Sequence, residues 1–279
     1  MTDTFTVLRA LPQRRRRLVG AWCFLDLYRA DDEGPAGALD LLPHPHIGLQ
    51  TVTWLFSGEV RHRDSLGNDV RIRPGELNIM TAGSGIAHAE TSIPHGVLHG
   101  LQFWIALPDR QRGKAPAFEH HAQLPVVDLG GATARVIVGD MRGAASPATV
   151  YSALVGAEIA ASTGGAISVP LEPAFEYAVL SVDGAVTVDG LGSDGVGLIY
   201  VGAGREVMKL QMQADARAFL IGGVPLNEPV LLWWNFVARS TAEMLAAREE
   251  WQGGGRFGRV SGFGDRRIDA PPLTMTLRP

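Results

Sequence analysis

Before residue 240 the chain shows almost no helical periodicity. What recurs is a short run rich in valine, isoleucine, threonine and aromatics, closed each time by turn residues. Thr51–Phe56 ends at Ser57-Gly58, Glu59–Arg63 at Asp64–Asn68, Val70–Arg73 at Pro74-Gly75, and His99–Leu107 at Pro108-Asp109. The same grammar returns in Ala134–Val138, Val150–Leu154, Tyr177–Val182 and Ala218–Ile221. Closely spaced strands with 34 glycines and 17 prolines to turn them describe an all-β sandwich or barrel. Aligning Ser57-Gly58-Glu59-Val60 with Asp183-Gly184-Ala185-Val186 gives an offset of 126 residues, strand on strand. That echo predicts two copies of one unit, joined by a polar linker over Pro108–Pro125, with only one copy carrying the functional site. The expected division is residues 1–125, 126–239 and a tail at 240–279. In the tail, Ser240-Thr-Ala-Glu243 forms a capping box and Gly253-Gly-Gly255 a stop. They frame one helix of about three turns, whose apolar face is expected to be Met244, Leu245, Arg248 and Trp251.

Composition excludes several function classes. A net charge of −4 gives no reason to expect nucleic acid or an anionic membrane as a partner. Arg14–Arg17 reads as a solvated face. Cys23 is the single cysteine, so an internal disulfide and an all-thiolate zinc site are both impossible. The apolar stretch Leu18–Leu25 is too short to span a bilayer and has no small-residue cleavage site. The expectation is a soluble, cytoplasmic protein.

All eight histidines lie at or before residue 121. Four positions form two pairs, His44-Pro-His46 and His88-Ala-Glu90. In an extended segment, residues i and i+2 project to the same face about 6.5–7 Å apart. Two such pairs on neighbouring strands bring His44, His46, His88 and Glu90 toward one point inside a barrel. Three imidazoles and a carboxylate suit one divalent ion such as Fe(II), Mn(II), Ni(II), Cu(II) or Zn(II), and the absence of thiolate argues against structural zinc. A Ser84–His88 hydrolase is rejected, because Ser84 lacks the Gly-x-Ser-x-Gly elbow. Gly202-Ala-Gly204 has no βαβ unit around it and reads as a turn.

The run His44–Gly58 resembles the first metal motif of the pirin family of bicupins. So do Glu59–Asn68, Pro74-Gly75, Met80–Glu90, His99–Trp104, Ile221–Pro229 and Trp233–Phe236. The resemblance implies two cupin β-barrels packed face to face with a C-terminal helix. It also implies iron, Fe(II), held in the first barrel by His44, His46, His88 and Glu90, and a metal-free second barrel. Some members of that family are quercetin 2,3-dioxygenases, which join O2 to a flavonol; others are iron-binding, redox-sensitive regulators that bind a protein partner. The first activity implies O2 and a flavonoid-like substrate, with Glu90 as the base that takes the flavonol proton. Two barrels in one chain already bury the face that single cupins cover by dimerising, so a monomer is expected.

Where many members carry Arg-Gly-Phe-Glu after His-Pro-His, this chain has Ile47-Gly-Leu-Gln50. Gln50 is therefore not counted as a ligand and is expected to line the pocket beside the metal. Trp54, Phe56, Met80 and Phe103 are candidates for an apolar wall but more commonly represent core packing. His62, between Arg61 and Arg63, is expected on a solvent-exposed charged face. His99 is expected in the core, flanking a short strand together with His95, and His120-His121 in the linker.

Overall fold

The structure is a computed structural model, and it describes residues 4–31, 39–93, 96–192 and 197–278. The strands of the first half are β1 (Thr4–Leu11), β2 (Trp22–Asp31), β3 (Asp40–His46), β4 (Leu49–Ser57), β5 (Glu59–Asp64), β6 (Asp69–Ile72), β7 (Leu77–Thr81), β8 (Ile86–Ile93), β9 (Leu98–Ala106) and β10 (Ala117–His121). The second half holds β11 (Val126–Asp128), β12 (Ala132–Met141), β13 (Ala144–Ala145), β14 (Leu154–Ala161), β15 (Gly165–Pro170), β16 (Glu176–Asp183), β17 (Val186–Val188), β18 (Leu191–Gly192), β19 (Leu198–Val201), β20 (Val207–Met212) and β21 (Arg217–Gly223). A short ribbon of β22 (Leu231–Trp233) and β23 (Phe236–Ala238) leads into α1 (Thr241–Gln252). The run from Val150 is loop until Leu154, where β14 begins.

In one unit, which takes in β1 and β2 only over residues 4–7 and 28–31, a sheet ordered β1-β2-β9-β4-β7-β10 faces a sheet ordered β3-β8-β5-β6. Thr53 of β4 bonds Glu90 of β8 across the gap between them. In the other unit a sheet ordered β11-β12-β14-β21-β16-β19, with β13 on β12, shares a core with one ordered β15-β20-β17-β18. Each unit is the two-sheet antiparallel arrangement that alternating strands with tight turns produce. The internal echo survives in detail. The β4/β9 register shifts between Leu55 and Ser57, and the β16/β21 register shifts between Ser181 and Asp183, 126 positions later. Gly58 and Gly184 follow with φ of +79° and +72°, a conformation glycine adopts without the Cβ clash.

The unit boundaries differ from those expected. Leu8–Leu27 belongs with His121–Leu226, and Asn227–Pro279 returns to the unit of Tyr28–His120. Buried hydrogen bonds hold the N-terminal hairpin in the second unit: Gly20 N–H donates to Glu176 Oε1 at 2.7 Å, and Trp22 Nε1–H donates to the Gly222 carbonyl at 3.1 Å. The Trp22 ring lies 2.9 Å from where a Cβ on Gly156 would stand, so only glycine leaves it room. The expected linker is also structured. Its β10 extends the sheet beside β7, with Phe118 stacked on His62 at 4.5 Å and His120 bonded to Asn78 at 2.8 Å.

The helix has the expected place and length, with two differences. Ser240 Oγ accepts from Glu243 N–H, but the Glu243 carboxylate takes the Arg239 N–H and the Arg112 guanidinium instead of closing the box on Ser240. Its buried residues are Met244, Ala247 and Trp251, while Leu245 is exposed. That face packs with Ile47, Ala87 and Ala89, so the helix braces the outer side of the strand that carries His88.

Candidate metal centre

β3 and β8 pair antiparallel, with His44 opposite His88 and a register shift between Leu41 and His44. Past the shift the pairing is regular, so the period of two puts both histidines of β3 and the opposed His88 on one face. The ring centroids of His44, His46 and His88 stand 4.4–5.1 Å apart. Their ligand atoms lie within 4.8 Å of one another. All three are buried, at 6 %, 1 % and 1 % exposure.

The hydrogen bonds show which ring nitrogen is free. A carbonyl oxygen only accepts, so His44 Nδ1–H donates to the Leu42 carbonyl and His46 Nδ1–H to the Asn235 carbonyl, both at 2.9 Å. The Nε2 lone pair is then the one turned to the centre. His46 Nε2 and His88 Nε2 stand 3.0 Å apart. At that separation two lone pairs repel unless a proton or a metal ion lies between them. Two nitrogens bound at right angles to one ion at about 2.1 Å are themselves ~3.0 Å apart. Burial also favours the neutral rings that metals require. It pushes the His44 imidazole down to about 4, and the His46 and His88 imidazoles well below the usual range. The donor set therefore fits a divalent ion.

Glu90 is buried, and burial raises its carboxyl above the usual carboxylate range against the pull of His62 and Thr53. Its Oε1 accepts from Thr53 Oγ1 at 2.8 Å, and the same hydroxyl reaches Gln102 Oε1 at 3.1 Å. Spatially Glu90 groups with His62 and His88. The four residues singled out by spacing thus form a histidine trio plus a carboxylate that meets it at His88.

Two residues at this centre were not foreseen. His62 is not on a solvent-exposed face: its side chain is 2 % exposed, and the inward positions of β5 are Val60, His62 and Asp64. Adjacent residues of a strand face opposite ways, so Arg61 and Arg63 in the outward parity leave His62 inside. Asp64 shares that parity, which was the available signal. Trp104 is the second, with its ring 5.2 Å from His46.

The proposed apolar wall divides by face. Thr51 and Thr53 pair with Trp104 and Gln102 and with Met80 and Asn78, so these share the face toward Glu90. Met80 belongs to it, whereas Trp54 and Phe103 take the opposite parity, and Phe56 packs on His99. Gln50 also leaves the side of the histidine trio. Gly48, at φ +68°, breaks the parity between His46 and Gln50, and Gln50 Nε2–H donates to Thr81 Oγ1 at 2.9 Å. His99 is buried as expected, and His95 lies outside the described residues.

Residues 4–105 match the Pirin family model, and residues 156–258 match the Pirin C-terminal cupin domain. A Pseudomonas aeruginosa protein with the provisional name quercetin 2,3-dioxygenase is 45 % identical over 98 % of this chain and 87 % of its own. A Caulobacter vibrioides pirin-like protein is 38 % identical over 90 % and 89 %. The crystal structure of quercetin 2,3-dioxygenase from Acinetobacter baumannii superposes with a TM-score of 0.90 at 41 % identity, covering 97 % of this chain and 92 % of that one. With both cupin units matched and relatives aligned along nearly its whole length, the chain belongs to the pirin family of the cupin superfamily.

Proposed function

We propose that the first barrel holds one divalent metal ion, Fe(II) in the working enzyme, and that the protein is a quercetin 2,3-dioxygenase-type oxygenase that opens a flavonol with O2. The observation that carries the metal reading is the 3.0 Å approach of His46 Nε2 to His88 Nε2, with the Nδ1 of His46 already committed to a carbonyl. The substrate class rests on the names of the relatives from Pseudomonas and Acinetobacter. His44, His46 and His88 would hold the ion, with Glu90 beside them. Bound there, the ion supplies Lewis-acid polarisation and a meeting point for the substrate oxygen and O2.

The remaining work falls to the chain. Glu90 takes the flavonol hydroxyl proton; a carboxylate made more basic by burial is suited to that task. Thr53 Oγ1–H donates to one Glu90 oxygen and so turns the other toward the substrate. Trp104 packs on His46 from the facing sheet and keeps water from that side. The test is oxygen uptake by the Fe(II)-loaded protein with quercetin, run beside His46→Ala. Uptake that disappears in the variant is expected. No uptake by a protein shown to hold one iron would overturn the flavonol assignment and favour the redox-sensitive regulator.

A further inference from the structure

We propose that His62 and Asp64 are positioning residues that hold His88 in the tautomer whose Nε2 is open to the metal. The inference rests on the reading of His88 as a ligand, and it extends the centre by two residues that touch no metal. His88 Nδ1 faces His62 Nδ1 at 3.4 Å, and His62 Nε2 faces Asp64 Oδ2 at 3.3 Å. A carboxylate accepts and never donates, so His62 places its proton on Nε2. Its Nδ1 is then an acceptor, His88 donates to it from Nδ1, and the lone pair of His88 stands on Nε2.

Asp64 is built to stay an acceptor. Its Oδ1 takes the backbone N–H of Leu66 at 2.9 Å and of Asn68 at 3.1 Å, and its Oδ2 takes Asn68 Nδ2–H at 2.8 Å. The turn after β5 thus fixes both carboxylate oxygens, and the side chain of Asp64 is fully buried. Phe118, stacked 16° from parallel on His62, fixes the plane of the ring between. On β5 and β8, Asp64 pairs with His88 and His62 with Glu90, so the two strands carry the whole relay in register. A ligand imidazole usually fixes its tautomer through one acceptor. Here the acceptor is a second imidazole whose own tautomer is set by a carboxylate.

The relay makes an unusual prediction about Asp64→Asn. The two backbone donors keep the amide oxygen in the Oδ1 place, so the NH2 group faces His62 Nε2, and the Asn68 side-chain amide turns over to accept from it with its oxygen. His62 must then accept at Nε2 and carry its proton on Nδ1, which places the His88 proton on Nε2 and blocks the ligand position. His62→Phe removes the relay without imposing the wrong tautomer. The experiment titrates the apoprotein with Co(II) against a chelator for the wild type, Asp64→Asn, His62→Phe, the double variant and His46→Ala. Outer-shell losses run to about 10–100-fold, and Asp64→Asn is expected in that range, with His62→Phe weakened by about threefold to tenfold. The double variant is expected to bind as His62→Phe does, so that removing His62 rescues Asp64→Asn. A merely structural role for Asp64 in its turn would not be rescued. Wild-type affinity in Asp64→Asn or His62→Phe, or a double variant as weak as Asp64→Asn, overturns the relay. If Asp64→Asn does not fold, His62→Phe with its turn intact still decides. Wild-type protein that binds no Co(II), or His46→Ala that binds it equally well, overturns the metal centre itself.

Discussion

The two units share strand order, register shift and turn, yet their interiors are chemical opposites. In the first, Asn78, Thr53 and Gln102 stand side by side across β7, β4 and β9. In the second, the same row across β19, β16 and β21 is Ile199, Val179 and Leu220. On the facing sheet His62 pairs with Glu90, and 126 positions after His62 stands Val188, paired with Leu210. Met208 precedes Leu210 by two, as His88 precedes Glu90. Met208, Leu210 and Val188 are buried to 1 % exposure or less and join one apolar core. Each such side chain contributes about 1.5–3 kcal/mol through burial. The first unit gives up that stabilisation at the equivalent positions, keeping polar groups that only hydrogen bonds or a ligand can offset. One scaffold thus holds a filled apolar core in one copy and a buried cluster of histidines and a carboxylate in the other.

That contrast can be broken experimentally, and the largest effect belongs to the proposed ligands. His46→Ala is expected to lower metal affinity by more than ~100-fold, beyond the range of outer-shell changes, as read by chelator competition. Glu90→Gln should also reduce metal content, measured on the purified protein. Next, Leu210→Ala at the position equivalent to Glu90 should cost about 2–5 kcal/mol in chemical denaturation and leave metal content as in the wild type.

Acid should separate the units as well. The His44 imidazole is held at about 4 in the fold, against about 6.5 when unfolded. The unfolded chain therefore binds more protons in that window, and stability of the apoprotein falls as pH drops from 6.5 toward 4, by roughly 3 kcal/mol from this group. The second unit has one histidine, His121, at its edge, so hydrogen exchange should show the acid loss concentrated in β3, β5 and β8. At the small end, Glu172→Ala, 126 positions after His46, should leave metal content unchanged, because Glu172 is exposed and belongs to no cluster of three metal-ligating side chains among the described residues.

Much of this was legible in sequence because it depends on local spacing. The period of two placed His44 with His46 and His88 with Glu90, and Ser57-Gly58 against Asp183-Gly184 revealed the repeat. What escaped depends on long-range partners. The side of β5 that faces the core, and so the burial of His62 and Asp64, is fixed by pairing with β8. Gln50 left the metal side because Gly48 broke the parity. The exchange of Leu8–Leu27 into the second unit rests on Glu176 and Gly222, more than 150 residues away, which no local pattern announces.

The most direct test of the central claim is the metal content of the purified chain, wild type beside His46→Ala, by elemental analysis after loading with Fe(II) and removal of excess. One ion per wild-type chain and almost none in the variant is the predicted result. Two ions per chain, or full occupancy without His46, would contradict the assignment of a single centre to the first barrel.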